Sequence, residues 1–405
     1  MKGESLWHRA LMMHPAWYGL VAAIGLALMG ITAIGTTHGD YSSAQTKWLV
    51  ISLIALVICL VPSTKHISIV AYPLMIAIII LLIVMMLPGV PNWLVPVRNG
   101  TRAWINLKFM MLQPSELAKI VFVLALARYL RYRENYRTLG GLLVPFTIMF
   151  IPVLLILKQP DLGTAILFPV ALFAVLVAAG AKLKHLGTLM GLAILAVALN
   201  VAAIYLLPES MQLLRPHQRA RIVAMISQAR GDQRYIDDIG YQQYKSMTLI
   251  GSGQTTGFGK ERAAVIISHN KLPEDHNDMI FAVIVNRWGL KGAVGLLGLY
   301  GIMIGSMLLT AARTKDPFAR LSVVGFASLL FAQMAINIGM NIGLLPIIGI
   351  TLPFVSYGGS SLVATFLMIG LVLNFAMQRQ SILARPSFEF QHEESREMTK
   401  MLRRA

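Results

Sequence analysis

Between Leu272 and Gly289 the chain reads LPEDHNDMIFAVIVNRWG. Three acids, Glu274, Asp275 and Asp278, stand with His276 directly before an apolar run that begins at Met279. A carboxylate at the rim of a hydrocarbon slab is costly to place there, so its presence points to chemistry. Asp278 is the candidate general base. Partial desolvation where the chain enters the apolar run raises a carboxyl pKa towards the range in which it takes a proton from a hydroxyl. A helix N-terminus would oppose that rise, because its dipole favours the carboxylate. His276, two residues earlier, is the alternative base.

Other polar groups interrupt otherwise apolar sequence. In SELAKI, Glu116 and Lys119 are three apart and so share a helix face. Each charge inside a bilayer costs about 2.5–3.5 kcal/mol on the insertion scale, which disfavours a pair facing lipid. The two read either as a structural ion pair near the interface or as the polar wall of an interior cavity. NGTRAWINL (99–107) sets Arg102 between Trp93 and Trp104, either as an interfacial anchor or as a planar fork for a phosphate. In Lys158-Gln159-Pro160-Asp161-Leu162-Gly163-Thr164, Pro-Asp followed by Gly favours a turn and a helix cap, so Asp161 is either structural or part of a site. RPHQRARI (215–222) offers Arg215, His217, Arg219 and Arg221, as cations snorkelling over headgroups or as a pyrophosphate site; Arg215 and Arg219 are the candidates for the latter.

Two glycine-rich stretches call for different readings. YQQYKSMTLIGSGQTTGFGK (241–260) carries Gly251, Gly253, Gly257 and Gly259, but Lys260 is not spaced as a phosphate-binding G-x-x-x-x-G-K-[ST] loop requires. Its glycines instead let backbone pack closely or approach a ligand. In LPFVSYGGSS (352–361), Gly358-Gly359 permits a re-entrant turn and Ser360 or Ser361 can cap the following helix. No G-x-S-x-G elbow is present. Ser356 joins the substrate-binding candidates rather than serving as a nucleophile.

The elements that must position these groups follow from composition. Of 405 residues, 56% are hydrophobic and 13% charged, with a mean hydropathy of +0.67. Soluble domains carry roughly a quarter charged residues, so the class is an all-α polytopic membrane protein. No apolar core ends in a small-residue cleavage site, and the first apolar segment is expected to be a signal anchor. Cys59 is the sole cysteine and excludes an intrachain disulfide. The net charge of +17 would suit nucleic acid, but the basic residues lie in loops between apolar runs, which excludes that reading.

Ten runs have about the length of spanning helices: 16–36, 47–62, 67–88, 115–131, 140–157, 163–180, 185–207, 280–311, 319–342 and 360–378. Lys2 and Arg9, Lys65, Arg128 to Arg137, Lys182 and Lys184, Arg313 to Arg320, and the tail cations from Arg379 to Arg404 fall in every second connection. The positive-inside rule therefore puts both termini in the cytoplasm. It leaves 89–114, 208–279 and 343–359 outside. The large extracytoplasmic loop between helices 7 and 8, about 208–279, is longer than a connection needs. Within it Ile222, Met225 and Ile226 recur at helical spacing and predict an amphipathic helix on the outer leaflet. One transmembrane domain, 1–378, and a polar cytoplasmic tail, 379–405, complete the predicted organisation. No fixed-period repeat is evident.

Taken in order, NGTRAWI, QPSELAK, QPDLGTA, RPHQRARI, GYQQYKS with IGSG, LPEDHNDMIFAVI and NIGLLPIIGITLPFVSYGGSS resemble the SEDS family (shape, elongation, division and sporulation proteins). The matches run from about residue 99 to 361, with the RodA branch closer than FtsW. The resemblance implies a ten-helix peptidoglycan glycosyltransferase in the bacterial cytoplasmic (inner) membrane. Such an enzyme polymerises lipid II on the outer face beside a class B penicillin-binding protein, the crosslinking transpeptidase. The acid of the family's L-P-E-x-H-T-D-F segment falls on Asp278. The family's arginine, glutamate and lysine fall on Arg102, Glu116 and Lys119, and the Q-P-D-L-G-T aspartate on Asp161. The chain departs from the family pattern where a glutamate pair is replaced by Asn286-Arg287, a threonine by Asn277 and a glutamine by Lys245. The acid at 278 is kept, whereas the charge at 287 is reversed.

The implied reaction is an inverting glycosyl transfer. Asp278 takes the proton of an acceptor C4 hydroxyl, and cations answer the charge growing on the pyrophosphate leaving group. A divalent cation, Mg²⁺ or Mn²⁺, would share that task, although no compact ligand motif is visible. Two rivals remain at this stage, a lipid II flippase and a non-catalytic scaffold for a transpeptidase. The concentration of polar motifs in extracytoplasmic segments favours the enzyme, because a flippase must recognise its headgroup on both sides.

Overall fold

The computed structural model describes residues 14–378 apart from 88, 98–100, 109–110, 209–211, 213–215, 231 and 233–239. Arg215 and the tail 379–405 lie outside the described residues. The chain is helical almost throughout: α1 (Ala16–Ile34), α2 (Gly39–Cys59), α3 (Thr64–Val84), α4 (Pro114–Arg131), α5 (Leu143–Lys158), α6 (Leu162–Ala179), α7 (Leu183–Leu206), α8 (Pro216–Ala229), α9 (Tyr241–Gly253), α10 (Gly259–Asn270), α11 (Ile280–Arg313), α12 (Pro317–Asn341) and α13 (Gly359–Met377). A two-residue hairpin, β1 (Ile105–Asn106) against β2 (Met111–Leu112), precedes α4 and pairs Ile105 with Leu112.

Nine described helices are long and apolar enough to cross a membrane: α1 to α3, α5 to α7 and α11 to α13. The tenth expected span, α4, has 18 residues but carries Glu116, Lys119, Arg128 and Arg131. Its charges are tolerated because the helix is surrounded: Glu116, Lys119 and nearly every position between Ala118 and Leu130 are buried, chiefly against α3, α12 and α6. Local chemistry sets its ends. Pro114 stands in the first turn, where a missing N–H costs nothing. Arg128 at the far end donates to the carbonyls of Ser68 and Ile69. Pro73 in α3 cannot donate to the Ile69 carbonyl four residues back, and the guanidinium takes the place of that N–H.

Two boundaries differ from those predicted. The second span was expected over 47–62, but α2 begins at Gly39. Its first turns are polar because Tyr41 and Gln45 face other protein rather than lipid. The eighth span was expected as one run, yet α11 breaks at Gly289, whose φ of 65° and ψ of −159° are not helical. The amide of Leu290 donates to the Gln254 carbonyl at 2.8 Å, and Phe258 donates to the Asn286 carbonyl at 3.0 Å. A Cβ on Gly289 would lie 2.5 Å from the backbone of Thr255 to Gly257. Of the four glycines read from the sequence, Gly253 and Gly257 serve close backbone packing, a Cβ there meeting the Val285 carbonyl at 2.3 Å and the Arg287 carbonyl at 2.4 Å, whereas Gly251 and Gly259 face open space; Gly289 adds a further close approach. The stretch 280–288 is a short buried helix, and Leu290 opens the spanning one.

The long loop holds α8, α9 and α10; α9 packs on the broken start of α11. The loop between α12 and α13 folds back into the bundle: Val355 is fully buried, and the Pro353 carbonyl accepts from the Tyr300 hydroxyl at 2.5 Å. Gly30 of α1 makes room, since a Cβ there would meet the Val355 carbonyl at 2.3 Å. Neither serine caps α13; the Ser360 hydroxyl instead accepts from the Gln113 amide at 3.1 Å. In contrast to its neighbours, α7 stands off from the bundle and buries only Leu186.

Candidate active site

Asp278 sits in the turn between α10 and α11, 8% exposed. Its main-chain carbonyl accepts from Asn337 Nδ2 at 2.8 Å and from Asn341 Nδ2 at 2.9 Å. Both amides come from α12, four residues apart and hence on one face. The residues before Asp278 are gripped as firmly. Ser356 Oγ donates to the Asn277 carbonyl at 2.6 Å, and the Tyr357 amide to the His276 carbonyl at 2.8 Å. The loop that does this is itself held by Gln45, which donates to the Ser356 carbonyl and accepts from the Gly358 amide. The Asp278 backbone is therefore fixed from two sides.

Among the described residues, Gln242 Nε2 donates to that carboxyl at 3.3 Å. Burial pushes its pKa up from 3.8 to about 7, and the Glu274 carboxylate adds to the rise. Hydrogen bonding to its own backbone, and the charges of Arg221 and His276, pull the other way. Burial thus outweighs the groups that favour the ionised form. A carboxyl with this pKa is half-ionised near neutrality, the condition in which a general base works best.

A cavity lies at this end of the bundle, and Arg221 of α8 is on its wall. The cavity, about 480 Å³, is lined by Trp104, Gln113, Gln159, Asp161, Gln218 and Arg221 among others. Asp278 does not line it. Arg221 does, donating to the Ile347 carbonyl at 2.7 Å while its charge acts on Asp278. The RPHQRARI motif contained Arg221, but Arg215 and Arg219 were the residues singled out there. The latter donates to Gln212 Oε1 at 2.6 Å.

The remaining candidates divide into three groups. Asp161 lines the cavity and also caps α6, accepting from the Thr164 amide at 2.9 Å, the Thr164 hydroxyl at 2.7 Å, Gln113 at 3.0 Å and Ser115 at 3.1 Å. Arg102 stands at the rim, where it donates to Asn92 Oδ1 at 3.3 Å, while its neighbours Thr101, Ala103 and Trp104 line the cavity. Glu116 and Lys119 form a buried ion pair at 2.9 Å. Lys119 reaches Gln333 at 3.2 Å, and Gln333 donates to Thr351. Glu116 Oε2 has no hydrogen-bond partner among the described residues. Gln333, Asn337 and Asn341 recur every four residues along α12, so one polar stripe connects the ion pair with the Asp278 backbone. That spacing of amides in an apolar helix was the signal by which sequence reading could have found them.

Asp275 faces away from this stripe. It accepts from Thr37 Oγ1 at 2.9 Å, from His38 Nε2 at 2.8 Å and from His276 Nδ1 at 3.2 Å. Burial pushes its pKa up, but the donors from His276, His38 and Thr37 outweigh that and hold the carboxyl below its usual range. His276 also packs on Tyr41, ring centroids 4.7 Å apart. Magnesium and manganese take oxygen ligands in preference to imidazole, and the Asp161 oxygens already carry four donors. The described residues thus offer those ions no ready oxygen cage.

Fold and site define a multi-pass membrane protein that holds a near-neutral carboxyl and a cavity of mixed polar and apolar lining at one end of its bundle. A model of the cell cycle proteins FtsW, RodA and SpoVE matches residues 6–381. The chain is 32% identical over 392 residues to the probable peptidoglycan glycosyltransferase FtsW of Pseudomonas fluorescens, covering 93% of this chain and 90% of that one. To the peptidoglycan glycosyltransferase MrdB of Escherichia coli K12 it is 33% identical over 286 residues, 71% of this chain and 74% of the other. A chain from a solved structure described as "Structural coordination of polymerization and crosslinking by a peptidoglycan synthase complex" superposes with a TM-score of 0.73 at 30% identity, covering 89% and 97% of the two chains. This protein belongs to the FtsW, RodA and SpoVE family, the SEDS proteins. Identities so close do not separate the branches.

Proposed function

We propose that the chain is a peptidoglycan glycosyltransferase that polymerises lipid II, with Asp278 as general base. The observation that carries this reading is the Asp278 carboxyl: buried, held by its backbone and raised in pKa to about 7. The names of the relatives supply the reaction class. The end that bears Asp278 faces the outside, and the opposite end, with Lys65, Arg128, Arg131, Lys182 and Arg313, faces the cytoplasm, as the positive-inside rule requires.

In the proposed step the C4 hydroxyl of an acceptor N-acetylglucosamine gives its proton to the Asp278 carboxylate. Its oxygen forms a bond to C1 of N-acetylmuramic acid in the second substrate. The bond from C1 to undecaprenyl pyrophosphate breaks with inversion, and the pyrophosphate leaves with the electron pair. Arg221, Arg219 and Arg102 are the cations proposed to answer that charge, and Arg215, which lies outside the described residues, joins them from the sequence motif alone. Lys119 is committed to Glu116 and Gln333 and acts by shaping the interior. Ser356 and His276 hold the turn before Asp278, so their part in substrate binding is positional. Any Mg²⁺ or Mn²⁺ would arrive with the pyrophosphate, and no step here runs through it. A class B penicillin-binding protein is the partner that would crosslink the strands.

The test is incubation of the purified protein with lipid II, with and without its transpeptidase, and separation of products by gel. Glycan ladders that disappear with Asp278→Ala support the assignment. Undiminished ladders from that variant refute the base. Their absence under every condition, with folded protein, turns the reading to the flippase or the scaffold.

A further inference from the structure

His38, Asp275 and His276 belong to two segments far apart in the chain, the turn between α1 and α2 and the turn before α11. Each offers one ligand atom, and these three atoms lie within 4.8 Å of one another. Two imidazole nitrogens point at a single carboxylate oxygen, Asp275 Oδ1, at 2.8 Å and 3.2 Å. Tetrahedral zinc with ligand distances of about 2.0–2.2 Å needs donors about 3.3–3.6 Å apart, so the 2.8 Å and 3.2 Å pairs must open by less than about 1 Å.

The surroundings are those of a built metal site. Thr37 donates to the other carboxylate oxygen at 2.9 Å and fixes its orientation, as outer partners of metal ligands do. Tyr41 packs on both imidazoles, its ring 5.3 Å from His38 and 4.7 Å from His276, and limits their rotation. The Asp275 and His276 side chains are 9% and 18% exposed, but that of His38 is 38% exposed, which leaves a path from solvent and room for a further ligand.

We infer that His38, Asp275 and His276 form a binding site for a divalent transition-metal ion of the Zn²⁺ kind. Two imidazoles and one carboxylate suit zinc, cobalt or nickel and disfavour Mg²⁺. The bound ion joins the end of the first helix to the turn that carries Asp278 and so stiffens that turn. This site is separate from any ion that accompanies pyrophosphate, and it does not depend on the proposed reaction.

The experiment uses the full chain, tag-free in detergent and stripped with chelator, titrated with Zn²⁺ by calorimetry and with Co²⁺ by visible absorption. One extra equivalent of Zn²⁺ is expected in the wild type relative to His38→Ala, together with cobalt d–d bands and a rise in melting temperature. Loss of an outer partner alone weakens metal affinity by about 10–100-fold. Loss of the direct ligand in His38→Ala or Asp275→Asn should therefore exceed tenfold. Since His38 is partly exposed, its alanine variant tests the site even if Asp275→Asn fails to fold. Equal stoichiometry and affinity in wild type and His38→Ala, or displacement of Zn²⁺ by equimolar Mg²⁺, would overturn the assignment.

Discussion

The side-chain amide of Asn337 donates to the main-chain carbonyl of Asp278 at 2.8 Å, and also to the Ile350 carbonyl at 2.7 Å. One residue of α12 thus holds both the turn that carries the acid and the loop leading to α13. Leucine is close to asparagine in shape but donates nothing, so Asn337→Leu takes this donor from the buried Ile350 carbonyl and leaves the Asp278 carbonyl to Asn341 alone. An unsatisfied buried group costs about 1–3 kcal/mol. The expected outcome is a lower melting temperature with a polymerisation rate reduced at least tenfold. The apparent KM for lipid II should change little, because the lost contact orients the base rather than the substrate. A change confined to KM would contradict the positioning role.

The raised pKa of Asp278 fixes the sign of two pH effects. As a base it must be ionised, so kcat/KM should rise with pH along a limb centred at about 7, measured with chelator-stripped protein. Arg221 favours the ionised form, so Arg221→Met should move that limb upward while lowering kcat/KM for the anionic substrate. For stability the sign is opposite. A carboxyl whose folded pKa lies above its unfolded one contributes stability that is present below 3.8 and lost as pH rises through about 7. Asp278→Asn removes this loss, so at pH 8 the inactive variant should melt no lower than wild type. Calorimetric melts at pH 5 and 8 read the difference.

Much of the bundle was legible because a bilayer demands about twenty apolar residues per span, and those runs stand out whatever they pack against. What escaped reading was set by tertiary contact. The polar start of α2 looked like a loop until Tyr41 and Gln45 were seen facing the site. The break at Gly289 falls inside a stretch read as one span, beside Asn286-Arg287 and Lys291, and exists because residues 254–258 pair with its backbone. Asp278 could be found from its position at an apolar boundary. Its clamp, Asn337 and Asn341, could have been found only by noticing amides four apart. His38 carried no signal, since it meets Asp275 across 237 residues of chain.

The buried pair of Glu116 and Lys119 makes a prediction that separates structure from catalysis. Removing one partner of a buried pair costs about 3–5 kcal/mol, because the other charge is left uncompensated, whereas replacing both can be nearly neutral. Lys119→Met should therefore lower stability far more than Glu116→Gln combined with Lys119→Met. If the double variant folds as wild type yet makes no glycan, the pair belongs to the reaction as well as the fold. Thermal melts alongside lipid II gels distinguish these outcomes.

Gly289 offers the last test, on the joint between the buried helix after Asp278 and the span that follows. Its positive φ disfavours any side chain, and a Cβ would lie 2.5 Å from Gly257 N and Thr256 N, backbone that cannot rotate away. Alanine there must either push residues 254–258 off α11 or straighten α11 through residue 289. Both break the hydrogen bonds of Leu290 to Gln254 and of Phe258 to Asn286. Gly289→Ala should therefore destabilise by more than about 1 kcal/mol and shift Asp278, which lies in the turn two residues before that short helix begins. Gly295, whose Cβ would meet nothing within 4 Å, is the control on the same helix. Equal melting temperatures and equal polymerisation in the two alanine variants would show that the joint at Gly289 does not hold the acid in place.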